Sequence, residues 1–165
     1  MIKTDIAIIG LGITSKLIAL ALASKNRKVM IFGQSNSITQ NSNLVTFFSQ
    51  NSINFLNELG IEDLVNQSLP IKEIFCSKLE QYQLEKKFQI HFKEENFKNE
   101  MGRIIINNKL NESLDNQIKK NQNIVTSNSM SITNYDHQGA KTKLTLCDGV
   151  EIITHILIIT DKNLI

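Results

Sequence analysis

One stretch, DIAIIGLGITSKLIALALASKNRKVMIFGQS from Asp5 to Ser35, constrains this 165-residue chain more than any other. Residues 4–9 are short, β-rich and closed by Gly10, the pattern of a buried strand. Ile13, Leu17, Leu20, Ala21 and Ser24 recur at helical spacing and predict a helix over 13–25. Val29–Phe32 is a second short apolar strand. Two strands joined through a helix within some thirty residues can pair only in parallel, through a right-handed crossover. The predicted class is therefore α/β.

The turn between the first strand and the helix reads Gly10-Leu11-Gly12-Ile13-Thr14-Ser15, or G-x-G-x-x-S. Gly10 permits the tight turn, and Gly12 lets the backbone approach a pyrophosphate. The N–H groups of Ile13, Thr14 and Ser15 then open a helix whose dipole favours an anion. Ser15 stands where Gly or Ala is usual, at an expected crowding cost of about 1 kcal/mol. The plain alternatives are a tight connection with no ligand, and Thr14 and Ser15 serving only as helix caps. A carboxylate that holds a ribose is expected roughly 20 residues on, at the tip of the second strand. That position is Gly33, followed by Gln34, and after Asp5 the next acid in the chain is Glu58. Losing a charge-assisted hydrogen bond costs about 1.5–3 kcal/mol, roughly ten- to a hundredfold in affinity. The Gln34 carbonyl offers a weaker bond.

Beyond this unit, residues 34–46 read as a polar loop. Ser49 caps an expected helix over 50–59, with Ile53, Leu56 and Leu59 on one face and Gly60 ending it. A further turn is expected at 62–67. Pro70, the only proline, introduces a strand at 71–79, and a second at 86–93 is its antiparallel partner. Gly102 opens a strand over Arg103–Ile106. A helix follows with Leu110, Leu114 and Ile118 on one stripe and Asn107 or Asn108 as its cap. Strands are expected at 123–132, 141–147 and 151–160, with Asp148-Gly149 as a hairpin turn. The pattern implies a doubly wound sheet with a small β insertion.

Composition narrows the function. The chain is 41% hydrophobic and 21% charged, with no Trp and two Tyr, which suits a globular domain and gives no stacking surface for single-stranded nucleic acid. Residues 1–60 carry five bases and two acids and the rest thirteen and fourteen, so neither part marks a nucleic-acid binder. The apolar run Ile6–Ile9 is too short to span a membrane, and Met1-Ile2-Lys3 before a strand is not a signal peptide. Cys76 and Cys147 lack metal or redox spacing and are expected as buried free thiols in a reducing cytoplasm. His91, His137 and His155 are scattered, so no metal site is expected.

Four stretches, in order, resemble the N-terminal part of the flavin-dependent aromatic hydroxylases, in particular the ubiquinone-biosynthesis monooxygenases of the 2-octaprenyl-6-methoxyphenol hydroxylase type. They are DIAIIGLGITSKLIALALASKNRKVMIF, TFFSQNSINFLNELGIEDLV, MGRIIINNKLNESL and HILIITDKNLI. The first is similar to the family's ADP-binding unit, and the last to the strand that leads into its G-A-D-G motif. The resemblance implies a Rossmann-like FAD-binding domain with a parallel sheet and a small inserted β segment, incomplete at the C-terminus. Residues 1–69 and 100–165 form the nucleotide-binding part and 70–99 begin the inserted β segment. It implies cofactor contacts at Gly10, Gly12, Ile13, Thr14, Ser15, Gly33, Gln34 and Asp161, and places Met130 on the strand that passes the adenine. The departures from the family pattern are Ser15 for its third Gly, Gly33 for its ribose Glu, Leu44 for an Arg, and Lys162 for the Gly after Asp161.

The later G-D-A segment and the rest of the substrate-domain sheet have no counterpart here. The resemblance therefore implies a chain that holds the ADP end of FAD at most, with no catalytic residue of its own and no hydroxylation alone. Relatives use FAD, NAD(P)H and O₂ on polyprenylated aromatic precursors of ubiquinone. A second polypeptide is expected to supply the C-terminal half, and any membrane association to come through the quinone pathway of such relatives. The alternatives are a degenerate remnant without cofactor, favoured by losses at Ser15, Gly33, Leu44 and Lys162, and a small NAD(P)-binding Rossmann protein, disfavoured because Gly33-Gln34-Ser35 has no base beside it.

Overall fold

The parallel crossover expected over residues 4–32 is present. The structure, a computed structural model, describes residues 1–33, 44–80, 83–93, 100–127 and 132–160. In chain order, β1 (Ile2–Ile9), α1 (Ile13–Ala23) and β2 (Val29–Phe32) come first. Next are β3 (Val45–Ser49), α2 (Gln50–Glu58), α3 (Glu62–Asn66), β4 (Leu69–Ile71), β5 (Glu73–Glu80), β6 (Gln83–Lys93) and β7 (Gly102–Ile106). Then follow α4 (Asn107–Lys120), β8 (Ile124–Ser127), β9 (Ile132–Gln138), β10 (Lys141–Leu146) and β11 (Glu151–Ile159). They group into two compact units, one of Met1–Ser42 with Asn108–Ile165 and the other of Asn43–Asn107.

The first unit is built on a six-stranded sheet of order β8-β2-β1-β11-β10-β9. Its four strands β8, β2, β1 and β11 are parallel, with Ile6–Ile9 of β1 in register with Val29–Phe32 on one side and Ile156–Ile159 on the other. β10 and β9 continue the sheet antiparallel. Successive side chains on a strand point to opposite faces. Ala7 and Phe32 join Leu144, Leu146 and Ile152 in an apolar cluster, with Met30, Ile132, Val150 and Leu157 packed against it. Helix α1 packs against β1, β2 and β8. The described helices of this unit are α1 and α4, which meet where Lys16 of α1 reaches α4.

The buried residues of α1 are Ser15, Lys16, Ala19, Leu20 and Ala23. This differs from the expected stripe of Ile13, Leu17, Leu20, Ala21 and Ser24, of which only Leu20 is fully buried. The small residues Ser15, Ala19 and Ala23, spaced by four, let the helix approach the strands closely, and that outweighs the larger apolar side chains one position away. The helix ends at Ala23, two residues earlier than its periodicity predicts, with Ser24 as C-cap. Helix α4 buries Leu110, Leu114 and Ile118 as expected. Where the sequence predicts one strand over 123–132, two strands occur, β8 and β9. β9 is exposed along nearly its whole length and has no apolar face to mark it. The Asp148-Gly149 turn is present: Gly149 has φ 80°, and the Asp148 carboxylate accepts from the Val150 N–H at 3.0 Å.

The second unit has a three-stranded antiparallel sheet of order β3-β7-β4 and the antiparallel ribbon β5–β6. It is wider than residues 70–99. Residues 45 and 46, within the expected loop, pair with Ile106 and Ile105 of β7. Pro70 lies inside the short strand β4, whose ladder runs along β7 alone. Ser49 is the N-cap of α2 and accepts from the Ser52 N–H, as the sequence predicts. Ile53, Leu56, Ile61, Leu64, Val65 and Ile105 are buried. Arg103 forks onto Glu100 at 2.8 and 2.9 Å and donates to the carbonyls of Val65 and Ser68. Cys76 and Cys147 are both exposed, contrary to expectation: one is on the two-stranded ribbon, the other in the β10–β11 turn, and neither position is covered. Among the described residues no helix is long and apolar enough to cross a membrane.

Candidate functional site

In the first unit the chain runs from β1 through α1 to β2 and on to β8 on one side, whereas β11 flanks β1 on the other. The connections thus reverse direction between β1 and β11. In open parallel sheets, ligands bind in the crevice at the carboxyl ends of strands where this reversal occurs. Gly10–Ser15 sits at that end of β1, and Thr160 at that end of β11.

Gly10 has φ 124°, a conformation reserved for glycine, and its N–H donates to the Phe32 carbonyl at 2.7 Å. The turn is thereby tied to the tip of β2. Gly12 is the N-cap of α1, with φ −72°, ψ 173° and no side-chain cap. The first ladder bond of the helix runs from the Lys16 N–H to the Gly12 carbonyl at 3.2 Å, so the N–H groups of Ile13, Thr14 and Ser15 have no carbonyl one turn behind them. Thr14 and Ser15 do not cap the helix. Gly12 and Thr14 are exposed, Leu11 and Ile13 half-buried, and Gly10 and Ser15 buried, so the turn is not covered by other side chains.

Gly12 supplies the test of fit. Any residue can adopt its backbone angles, and among the described residues a Cβ there would meet nothing within 4 Å. The polypeptide itself has no use for a glycine at this position. What a side chain would take is the open space in front of the helix N-terminus, the space a phosphate needs. The arrangement fits the pyrophosphate of a dinucleotide.

Gly33 differs in kind. A Cβ on Gly33 would lie 3.0 Å from Leu11 Cγ, 3.1 Å from Leu11 N and 3.3 Å from Gly10 C. The turn leans onto the end of β2, where the ribose carboxylate is expected, and glycine is what lets it do so. Gln34 and Asp161, the other expected contacts, lie outside the described residues, as do Met130 and Lys162. Leu44, in place of a family arginine, is exposed and belongs to the second unit.

Three features of the site escape sequence reasoning. Ser15 is fully buried, yet its crowding is offset: its Oγ lies 2.7 Å from Thr160 Oγ1. Thr160 Oγ1 donates to the Ile9 carbonyl at 2.8 Å, so the proton between the two hydroxyls comes from Ser15. This relay braces the first turn of α1 against the end of β11. Lys16, only 6% exposed, reaches Asn111 Oδ1 at 2.7 Å and Asp115 Oδ1 at 2.6 Å on α4. Leu11 fills the space above Gly33. The four-residue spacing of Ser15, Ala19 and Ala23 is the one signal that could have placed Ser15 and Lys16 on the buried face. Nothing local points to Thr160.

No protein-family model matches the sequence, and no curated protein matches it. Solved structures do. PqsL from Pseudomonas aeruginosa, a probable FAD-dependent monooxygenase, superposes with a TM-score of 0.69 at 15% identity, over 94% of this chain and 41% of its own. p-Nitrophenol 4-monooxygenase PnpA from Pseudomonas putida DLL-E4 gives 0.67 at 12% identity, over 98% and 42%. CtdE, solved in complex with FAD, gives 0.65 at 18% identity, over 96% and 38%. The chain therefore has a fold shared with part of FAD-dependent monooxygenase structures, and it spans about two-fifths of the length of these three.

Proposed function

We propose that this chain is the part of a flavin-dependent monooxygenase that holds the ADP end of FAD, in an enzyme of the kind that hydroxylates polyprenylated aromatic precursors of ubiquinone in the cytoplasm. The observation that carries the reading is Gly12: an unobstructed glycine before a helix N-terminus, at the reversal point of a parallel sheet. Gly10 makes the turn, Gly12 leaves room for the pyrophosphate, and the N–H groups of Ile13 and Thr14 donate to it. Gln34 and Asp161 are the proposed contacts beyond the pyrophosphate. Bound FAD supplies the redox and oxygen chemistry, with NAD(P)H as reductant. The chain's own residues bind and orient the ADP end.

A second polypeptide is proposed to complete the enzyme, and β11 supports this. Its ladder with β10 ends at Thr154, and among the described residues His155–Ile159 pairs only with β1. Ile156–Ile159 is continuously apolar, as in strands covered on both sides, yet Ile156 is 53% and Ile159 43% exposed. A strand of this composition calls for a further neighbour.

Calorimetric titration of the purified chain with FAD, ADP, riboflavin and NADPH tests the reading. FAD binds, ADP competes with it, and riboflavin, lacking the ADP end, does not bind. Preference for NADPH over FAD replaces the reading with a nicotinamide-binding protein. Failure of both FAD and ADP to bind makes the chain a remnant.

A further inference from the structure

The opposite edge of the same sheet carries a different feature. α1 and α4 end there, and β1, β2 and β8 begin there. Val29 N–H donates to the Asn123 carbonyl at 2.8 Å, and the N–H groups of Asp5 and Ile6 donate to the Lys28 carbonyl at 3.1 Å, so the three loops meet. Six cations gather at this edge: Lys3, Lys25, Arg27, Lys28, Lys119 and Lys120. All are exposed, and none makes an ion pair among the described residues. The acids on the adjoining strands are fewer than the cations: Asp5, Asp148 and Glu151. The Asp5 carboxylate accepts from the Lys28 N–H at 2.9 Å, that of Asp148 accepts from Val150, and Glu151 pairs with Lys143.

Cations after helix C-termini complement the helix dipole, which accounts for Lys119 and Lys120. It does not account for Lys3, nor for the apolar surface among the cations. Ile2 is 42% and Val125 53% exposed. Between them runs a shallow groove of about 120 Å³, lined by Ile2, Lys3, Lys28, Met30, Asn123 and Val125. An excess of positive charge interleaved with exposed aliphatic side chains suits a surface that is anionic at its face and apolar beneath. Among the described residues no aromatic side chain lines this edge, so bases have nothing to stack on.

We infer that the amino edge of the sheet docks on an anionic phospholipid surface, with the six cations at the headgroups and Ile2 and Val125 dipping below them. This does not rest on the flavin reading, because the glycine turn lies at the opposite ends of the strands. A chain docked in this way keeps Gly10–Ser15 turned away from the lipid.

Cosedimentation of the full chain with vesicles of equal parts phosphatidylglycerol and phosphatidylcholine, at about 0.05 M salt, is the test. The chain binds these vesicles, does not bind vesicles of phosphatidylcholine alone, and is released as salt rises past the point where screening is short-ranged. Each cation near such a surface contributes about fivefold in affinity. The triple variant K3Q/R27Q/K28Q therefore binds roughly a hundredfold more weakly, while keeping the circular dichroism spectrum of the parent. K109Q/K141Q, which removes charge away from this edge, binds as the parent does. No binding to the mixed vesicles, equal binding to phosphatidylcholine alone, or equal loss in both variants overturns the inference. So does displacement from the vesicles by stoichiometric single-stranded RNA, which would make the edge a nucleic-acid surface.

Discussion

Gly12→Asp separates what the fold needs from what a ligand needs, because the two predict opposite signs. The backbone angles at Gly12, φ −72° and ψ 173°, are those of an ordinary N-cap, and among the described residues its Cβ position is clear to 4 Å. Aspartate therefore enters without strain. Replacing glycine restricts the unfolded chain, worth about 0.4–1 kcal/mol. A carboxylate at the helix N-terminus adds about 0.3–1 kcal/mol through the dipole, and its cap bond a few tenths more. The sum is a gain of about 1–2 kcal/mol, or roughly 2–8 °C in Tm for a chain of this length. The same carboxylate occupies the phosphate position, takes its donors and repels its charge. Two charge-assisted hydrogen bonds at about 1.5–3 kcal/mol each are lost, so ADP and FAD affinity falls by at least about a hundredfold. Thermal unfolding monitored by circular dichroism and calorimetric titration with ADP read the two effects on one preparation. A variant less stable than the parent would show that the fold itself requires Gly12. A variant that still binds ADP like the parent would place the phosphate elsewhere.

Other substitutions probe the framework around the turn. Ser15→Ala removes one neutral hydrogen bond, about 1 kcal/mol, and leaves Thr160 still donating to Ile9. Thr160→Val strands the buried Ser15 hydroxyl and costs more, about 1–3 kcal/mol in urea unfolding; the reverse order would show that the proton between them belongs to Thr160. Asp115→Ala leaves the Lys16 ammonium buried with only Asn111 and destabilises by about 3 kcal/mol, whereas Lys16→Met removes the charge as well and costs less than half of that. Gly33→Glu, which restores an acid at the tip of β2, does not improve ADP affinity, because its Cβ pushes against Leu11 and Gly10. A tenfold gain in ADP binding on titration would show that the turn yields freely.

Elements with a strong apolar pattern were legible in the sequence. α4 shows its buried stripe of Leu110, Leu114 and Ile118, and β1 and β2 show short apolar runs between a glycine and a polar loop. β9 was not legible, because ITNYDHQ has no apolar face; it is held by its backbone ladder to β10. The face of α1 was misread for the opposite reason. Apolar residues surround that helix, and close approach to the sheet selects the small ones, a criterion that hydrophobicity does not register. Within the site, the glycine turn was legible because it is made of backbone and lies in six consecutive residues. The Ser15–Thr160 brace joins positions 145 apart and depends on β11 lying beside β1. No local pattern carries that information.

The glycine at the tip of β2 and the course of the Gly10–Ser15 turn are linked by geometry. The tip of β2 and the turn after β1 compete for the same volume: with glycine at 33, Leu11 settles against the strand end, and Gly10 bonds to Phe32 at 2.7 Å. That contact fixes the turn, and with it the direction of the N–H groups at Ile13 and Thr14, without help from a bound ribose. On the reading proposed above, this exchanges a ribose contact for a preorganised phosphate cradle. ADP and pyrophosphate should accordingly differ less in affinity for this chain than they would for a fold that grips the ribose. On that same reading, any selectivity for FAD then has to come from contacts beyond the turn.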